Sequence, residues 1–227
     1  ICAMDDNDIC LVAVGGDGTA NEVINGITDF EKVRFGVIPT GSGNDLARGL
    51  SLSKDPKNGA IHILNAMKKS REDTWCMDLG EVNFGEKKRL FAISAGIGLD
   101  ALVCKKALKS TIKDILNKIR LGKLTYLVLT VQSLFTMQTA DAEIFFDREE
   151  GLSFCEAAGI PKWRTFLCLP FLVAAKHTSI HGFSVTDAKD CMIRLSRPMV
   201  VHADGEYCGE VTEVHFHCLP GKLRVLK

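Results

Sequence analysis

The sequence predicts a two-domain protein in which an α/β domain comes before a β-rich domain. Two apolar runs, at residues 9–14 and 34–38, each end in a glycine-rich loop that leads into a helical pattern. This repeat is typical of a parallel sheet, whose strands are joined by crossover helices. After residue 73, short strand-like runs follow one another without alternating helices, which is typical of antiparallel sheets. We therefore expect an α/β domain at residues 1–73, to which residues 214–227 return, and a β-rich domain at residues 74–213.

The elements of the first domain follow from the spacing of its apolar residues. Residues 9–14 are apolar without alternation, as in a strand that is buried on both faces. We expect Thr19 to cap the helix after this strand. A second helix is expected to open near Asn44, after the strand at residues 34–38.

A third helix is predicted at residues 60–68, where apolar side chains recur at helical spacing. Ile61, Leu64 and Met67 stand three residues apart, so they form the apolar face of this amphipathic helix. In the second domain we predict strands at residues 77–84, 89–96, 142–147, 191–196 and 199–203, helices at residues 99–108, 112–120 and 123–135, and two closing strands within residues 211–225.

Composition excludes several classes of protein. Apolar residues make up 46% of the 227, which is enough for a real core. Lys plus Arg equals Asp plus Glu at 28 each, so no overall field would hold the chain on nucleic acid. The sequence contains no run of about 18 apolar residues, so it predicts no membrane-spanning helix. Nine cysteines without a CxxC pair indicate reduced thiols in a cytoplasmic protein rather than a zinc site.

The first glycine loop has the chemistry of a phosphate cradle. Gly15, Gly16 and Gly18 allow a sharp turn and a close backbone approach to a ligand. The helix that follows would add the positive end of its dipole. Asp17 would repel a bare phosphate, so we expect it to act through a divalent cation or the water bound to one. Alone, this loop could equally be a tight strand-to-helix connection.

A second loop repeats the arrangement one β-α unit later. PTGSGND, at residues 39–45, again combines a strand end, glycines, small hydroxyls and a helix start. In a parallel sheet both loops emerge at the carboxyl edge, where ligands of open α/β sheets bind. Neither loop matches the Walker P-loop or the dinucleotide GxGxxG spacing. The pair therefore favours a nucleotide-phosphate site of another type.

Two carboxylates near the end of the chain are candidates for acid-base chemistry. Transfer of a phosphoryl group to an alcohol needs a carboxylate within reach of the hydroxyl. Asp204 and Glu206, in the sequence HADGE, lie between two strand-like runs. Asp-Gly is also a favoured two-residue hairpin turn, and from the residues alone that interpretation is preferred.

The motifs together resemble the catalytic domain of the diacylglycerol kinase family, which includes sphingosine, ceramide and bacterial lipid kinases. The resemblance rests on GGDGT followed by Asn21 and Glu22, on PTGSGNDLAR, and further on MDLGEV, FAISAGIGLDA and VVHADGE. GGDGT by itself is shared with NAD kinases, whereas the paired motifs are narrower. The resemblance implies an NAD kinase/diacylglycerol kinase-like two-domain fold, with a Rossmann-like nucleotide domain followed by an antiparallel β-sandwich domain.

The resemblance also assigns roles to individual residues. It implies ATP-dependent, Mg-assisted phosphorylation of a lipid hydroxyl, with Asp204 as general base and Glu206 as a supporting carboxylate. Mg is implied to be held through a water network by Asp17, Asp45 and Asp78. Nucleotide binding is implied for Gly15, Gly16, Asp17, Gly18, Thr19, Asn21, Glu22, Thr40, Gly41, Ser42 and Asn44. A lipid substrate implies a cytoplasmic enzyme that associates peripherally with a membrane. A homodimer is a possible oligomeric state.

Two alternatives stay open, and the sequence departs from the family at one place. The alternatives are a soluble kinase of the NAD kinase type and a non-catalytic regulator that binds nucleotide or lipid. Bacterial members carry a glycine-rich segment and a DDG-type acidic loop that holds a structural Mg, and residues 151–163 contain neither. We expect residues to be missing near Cys155, and a first β-α unit to precede Ile1.

Overall fold

Two units make up the computed structural model, which describes residues 8–109, 122–173 and 180–227. The first unit comprises Ile1–Val82, Lys88–Ala95 and Cys218–Lys227, and the second comprises Asn83–Lys87 and Gly96–His217. The first unit thus extends beyond the expected boundary at residue 73. The reason is that the third strand pairs with the returning end of the chain and so stays with the first sheet.

The first unit is an α/β unit in which a parallel pair of strands begins the sheet. Its strand order is β1-β2-β10-β3-β4, with β10 contributing its last residues. β2 runs parallel to both β1 and β10. The core packs around fully buried Ile24, Phe35 and Leu223. The elements are β1 (Ile9–Gly15), α1 (Asp17–Asn25), a 3-10 turn (Phe30–Lys32), β2 (Val33–Pro39), α2 (Asp45–Gly49), α3 (Pro56–Ala66), β3 (Trp75–Phe84) and β4 (Lys87–Phe91).

Two sequence-based expectations about these helices are wrong. α1 begins at Asp17 with Gly16 as its N-cap, so Thr19 lies inside the helix and does not cap it. α3 begins at Pro56 and buries Gly59, Ile63 and Ala66. Ile61, Leu64 and Met67, the predicted apolar face, are exposed. Ile63 lies one residue before Leu64 and packs beside Leu226, and Gly59 and Ala66 lie on the same buried face of the helix.

The second unit is β-rich, and several of its strands are longer than the sequence pattern indicated. The elements are β5 (Ala95–Ile97), α4 (Leu99–Lys109), α5 (Gly122–Thr136), β6 (Ala142–Phe146), β7 (Leu152–Ala157), α6 (Lys162–Val173), β8 (Phe183–Ala188), β9 (Asp190–Ala203) and β10 (Glu206–Val225). β9 joins two predicted strands, β10 joins two more, and β7, α6 and β8 were not predicted. The helix predicted at residues 112–120 lies outside the described residues.

β7 and β8 form a separate two-stranded sheet, which meets other strands of the second unit through aromatic side chains. β9 pairs antiparallel with β6 and with the first part of β10, and β7 pairs antiparallel with β8. Phe154 of β7 packs between Phe146 and Phe216, with ring centroids 5.4 and 5.9 Å apart. The predicted β-rich second domain is therefore present.

The segment that corresponds to the family's acidic loop is a continuous strand. Glu156 and Ala157 are consecutive residues of β7 and pair with Ser184 and Phe183 of β8. The Ser184 hydroxyl donates to Glu156 at 2.5 Å. Residues 152–157 thus pair with β8 along their whole length and form no acidic loop.

Candidate functional site

The two glycine loops lie side by side at one edge of the first sheet, as predicted. β1 and β2 are parallel and in register to their ends, where Gly15 faces Pro39. The Thr40 N–H donates to the Gly15 carbonyl at 2.9 Å. Because both strands end there, the loops after them emerge at the same carboxyl edge, which is the edge at which α/β sheets bind ligands.

The loops touch backbone to backbone, and only glycine permits this approach. A Cβ on Gly41 would lie 2.5 Å from the Gly16 Cα, and a Cβ on Gly16 would lie 3.1 Å from the Gly41 Cα. A Cβ on Gly15 would meet the Thr19 side chain at 2.5 Å. The glycines are therefore needed for the packing of the loops themselves, in addition to any approach by a ligand.

The second loop is held by the side chains of Asn44 and Asp17. Asn44 has a left-handed backbone, with φ of 56°, and its amide accepts from the Gly41 N–H and donates to the Gly41 carbonyl, at 3.0 and 2.7 Å. Asp17 accepts the N–H groups of Asp45 and Leu46, both at 3.0 Å. Asp17 therefore caps α2 from the other loop, and Asp45 is the first residue of α2.

Asn21 and Glu22 both contact residues of β4, and Glu22 does so from an exposed position. The Asn21 side chain is 1% exposed, donates to the Leu90 carbonyl at 2.9 Å and accepts from Arg89 at 2.6 and 2.9 Å. Glu22 pairs with Arg89 at 2.5 Å. Asn21 therefore joins α1 to β4, and its implied contact with nucleotide stays a prediction. Arg89 and Asn25, which also bonds Leu90, carry no sequence signal for this role.

Backbone groups and small hydroxyls remain for a ligand at this edge. Gly16 caps α1 without any side-chain hydrogen bond, so the first turn keeps N–H groups to offer. Thr19, Thr40, Gly41 and Ser42 are exposed. N–H groups at a helix start together with hydroxyl donors suit an anion such as a phosphate.

The three carboxylates implied for Mg each have a protein partner. Asp17 caps α2, Asp45 pairs with Arg48 at 2.8 Å, and Asp78 accepts the Gly221 N–H at 2.7 Å. Among the described residues, no three His, Cys, Asp or Glu side chains are grouped to hold a metal ion. The arrangement fits Mg only in the mode in which nucleotide phosphates and water supply most ligands, a mode that Mg commonly adopts.

In the second unit, Asp204 and Gly205 form the two-residue turn between β9 and β10. Their φ angles are +49° and +85°, and Ala203 pairs with Glu206 across the turn. Two consecutive residues with positive φ are the mark of a type I′ hairpin, for which Asp-Gly is a preferred sequence. The hairpin interpretation is therefore correct, and it is compatible with a catalytic role. A non-glycine residue in this region costs about 1–3 kcal/mol, which the surrounding contacts must offset.

His202 and Asp100 support this turn, and sequence reasoning missed both. His202 is 4% exposed; its Nδ1 accepts the Gly205 N–H at 3.3 Å, and its Nε2 lies 3.0 Å from Asp100 Oδ2. A Cβ on Gly96 would lie 2.1 Å from that carboxylate oxygen, so Gly96 makes room for it. The position of His202 two residues before Asp204 was the available signal.

The carboxylates around the turn create a negative environment. Burial, together with the negative charges of Asp100 and Glu206, raises the pKa of the Cys104 thiol to about 11.

Comparisons with known proteins agree with the motifs. The sequence profile of the diacylglycerol kinase catalytic domain matches residues 3–77. The chain is 28% identical over 251 residues to a Bacillus subtilis protein named "Putative lipid kinase YtlR", a match covering 95% of this chain and 79% of that one. It is 30% identical over 141 residues to the diacylglycerol kinase of the same species, covering 60% of this chain and 41% of the relative.

Solved structures show the same fold. A structure described as a diacylglycerol kinase from Bacillus anthracis superposes with a TM-score of 0.63 at 19% identity, covering 96% of this chain and 77% of the other. An NAD kinase from Archaeoglobus fulgidus superposes with a TM-score of 0.51 at 10% identity, covering 99% and 82%. The predicted fold, shared by these two kinase families, is confirmed.

Proposed function

We propose that this chain, whose first third carries the catalytic-domain signature of the diacylglycerol kinase family, transfers the γ-phosphate of ATP to the hydroxyl of a diacylglycerol-like lipid. The observation that carries the proposal is the pair of interlocked glycine loops at the carboxyl edge of the first sheet, within the segment that matches the family.

The glycine loops would bind the nucleotide through backbone groups. The N–H groups at the start of α1 and the hydroxyls of Thr40 and Ser42 would donate to phosphate oxygens. Mg, held through water by Asp17, Asp45 and Asp78, would supply charge neutralisation for the phosphates when nucleotide is bound. Asp17 would also keep α2 in place, because it caps that helix.

Asp204 would accept the proton of the lipid hydroxyl as general base, and Glu206 would support it. The type I′ turn holds Asp204 at the tip of a hairpin, so its carboxylate is carried on a rigid element. A positioned base typically contributes about 10²–10⁴-fold to the rate of such a transfer.

Transfer of labelled phosphate from ATP to diacylglycerol, sphingosine and NAD in mixed micelles tests the proposal. Asp204→Asn is a clean variant because Asn-Gly forms the same type I′ turn. We expect kcat for diacylglycerol to fall about 10²–10⁴-fold while ATP affinity stays unchanged. The control is Asp187→Asn, an exposed carboxylate of β8 that bonds Ser153. Undiminished turnover by Asp204→Asn would remove Asp204 as base, and transfer to NAD alone would refute the lipid assignment.

Peripheral association with an anionic bilayer is the second part of the proposal. None of the helices in the described ranges has the length and hydrophobicity to cross a membrane. α5 and α6 contact each other through Phe135 and Phe166, whose ring centroids are 6.2 Å apart. Neither helix contains an acidic residue, and α6 carries Lys162 and Arg164. Large exposed apolar side chains on this pair are Leu127, Val128, Phe135, Trp163, Phe166, Leu167 and Phe171.

An apolar face with basic neighbours and an exposed tryptophan fits the surface of an anionic membrane. Flotation with phosphatidylglycerol vesicles tests this surface. We expect Trp163→Ser combined with Phe171→Ser to lose most vesicle binding, and Phe145→Ser, an exposed aromatic of β6, to retain it. Equal binding by all variants would contradict the proposal, as would a homodimer in solution that covers this face and does not bind vesicles.

A further inference from the structure

The buried imidazole of His202 has partners at both ring nitrogens, and these partners determine where its proton lies. The backbone N–H of Gly205 can only donate, so Nδ1 must present its lone pair. The proton therefore sits on Nε2, which donates to the Asp100 carboxylate at 3.0 Å. A buried polar side chain with both groups satisfied is held in one orientation.

The peptide group that His202 holds is the one that directly follows Asp204. In a two-residue hairpin turn, the N–H of the second turn residue does not take part in the strand ladder, and here the imidazole accepts it. Since the plane of the Asp204–Gly205 peptide defines ψ of Asp204, the imidazole restrains the direction in which that residue leaves the turn. This restraint offsets the cost of the positive φ at Asp204.

The other end of the imidazole is tied to the start of α4. Asp100 is in the first turn of that helix, and its Oδ1 accepts the Ala101 N–H at 2.8 Å. Next to it, the Gly98 N–H donates to the Val200 carbonyl of β9 at 3.1 Å. A backbone hydrogen bond therefore already joins the start of α4 to strand β9. The hydrogen bonds of His202 to Asp100 and to the Gly205 N–H extend this connection to the turn.

We propose that His202 is a positioning residue of the phosphoryl transfer: its Nδ1 orients the turn that carries Asp204, and Asp100 selects the required tautomer. This inference rests on the proposed role of Asp204. His202 itself contacts no substrate in this scheme and acts through the Gly205 peptide.

Two substitutions separate the two hydrogen bonds. The Asn side chain places its oxygen near the position of Nδ1, so His202→Asn keeps an acceptor for the Gly205 N–H and loses the bond to Asp100. The Gln side chain places its amide nitrogen near the position of Nε2, so His202→Gln keeps the donor to Asp100 and loses the acceptor for Gly205. His217→Gln, in the same unit, controls for loss of a histidine paired with an aspartate.

We expect His202→Gln to lower kcat about 10–100-fold, the range for misplaced catalytic groups, with the KM for ATP unchanged. His202→Asn should stay within about threefold of the native kcat, because it retains the bond to the turn. His217→Gln should behave as the native protein does. Equal losses in the Asn and Gln variants, or the reverse order, would overturn the proposal in favour of a purely structural histidine.

Nuclear magnetic resonance keeps this inference separate from the proposed function. Long-range ¹H–¹⁵N spectra of the native chain should show the His202 proton on Nε2, and a proton on Nδ1 would overturn the scheme. The Gly205 amide should exchange faster in His202→Gln than in His202→Asn, and equal rates would overturn it too. If the native chain phosphorylates no lipid, the proposed function fails, while these spectra still decide whether His202 holds the turn.

Discussion

Replacement of Gly41 by alanine tests whether the contact between the two glycine loops builds the nucleotide site. The added Cβ would lie 2.5 Å from the Gly16 Cα and 2.9 Å from Asn44 Oδ1. Ordinary contact begins at 3.4 Å, so the loops must separate by about 0.9 Å. The nearest obstacle is backbone, and no side-chain rotation can relieve it.

The size of the effect follows from this displacement. Overpacking of this kind typically costs about 1–3 kcal/mol of stability, and in a domain of this size each kcal/mol lowers Tm by about 2–4 °C. A shift of about 1 Å in positioning groups can cost about 100-fold in rate. We therefore expect Gly41→Ala to lower Tm by a few degrees and kcat/KM for ATP by about 10–100-fold.

Gly49→Ala is the matched control, because it makes the same chemical change at the end of α2. A Cβ there would meet nothing within 4 Å. Initial rates at varied ATP concentration measure kcat/KM in both variants, calorimetry with a non-hydrolysable ATP analogue measures binding, and thermal unfolding measures stability. Native affinity in Gly41→Ala with an unchanged Tm would refute the reasoning, and so would equal loss of affinity in Gly49→Ala.

Two further predictions concern protonation. Burial raises the pKa of Cys104 to about 11 and that of Cys191 to about 12, so at pH 8 about one thiol in a thousand or fewer is ionised. Mass spectrometry after iodoacetamide treatment should find both unlabelled while exposed Cys76 reacts, and labelling of Cys104 as fast as Cys76 would contradict this. The hydrogen bond from Arg34 holds the pKa of Asp8 below its ordinary 3.8, so the pair stabilises the fold above that value and less as pH falls through the lowered pKa. Because Asp8 is half exposed, solvent limits the contribution of the pair to about one kcal/mol. Asp8→Asn should therefore lower Tm at pH 7 by about 2–4 °C, and the difference in Tm from the native protein should shrink near pH 3.

Much of the fold was predictable because it depends on local patterns. Uninterrupted apolar runs predicted β1 and β2, and the glycines after them predicted the loops at the carboxyl edge. The helix face of α3 was not predictable, since Ile61 and Ile63 are equally apolar. Which of them is buried depends on how α3 packs on the sheet, and that is a tertiary contact.

The sequence by itself determined the family resemblance, the two loops and the Asp-Gly turn. Each is a short motif, and its own residues allow the backbone conformation that it requires. Only the tertiary structure decided what surrounds them. It buried Asn21 against β4, made Asp17 the cap of a helix 28 residues away, and placed His202 between Asp100 and the turn. Such contacts join residues distant in the chain, and hydrogen bonds of that kind follow from packing rather than from local propensity.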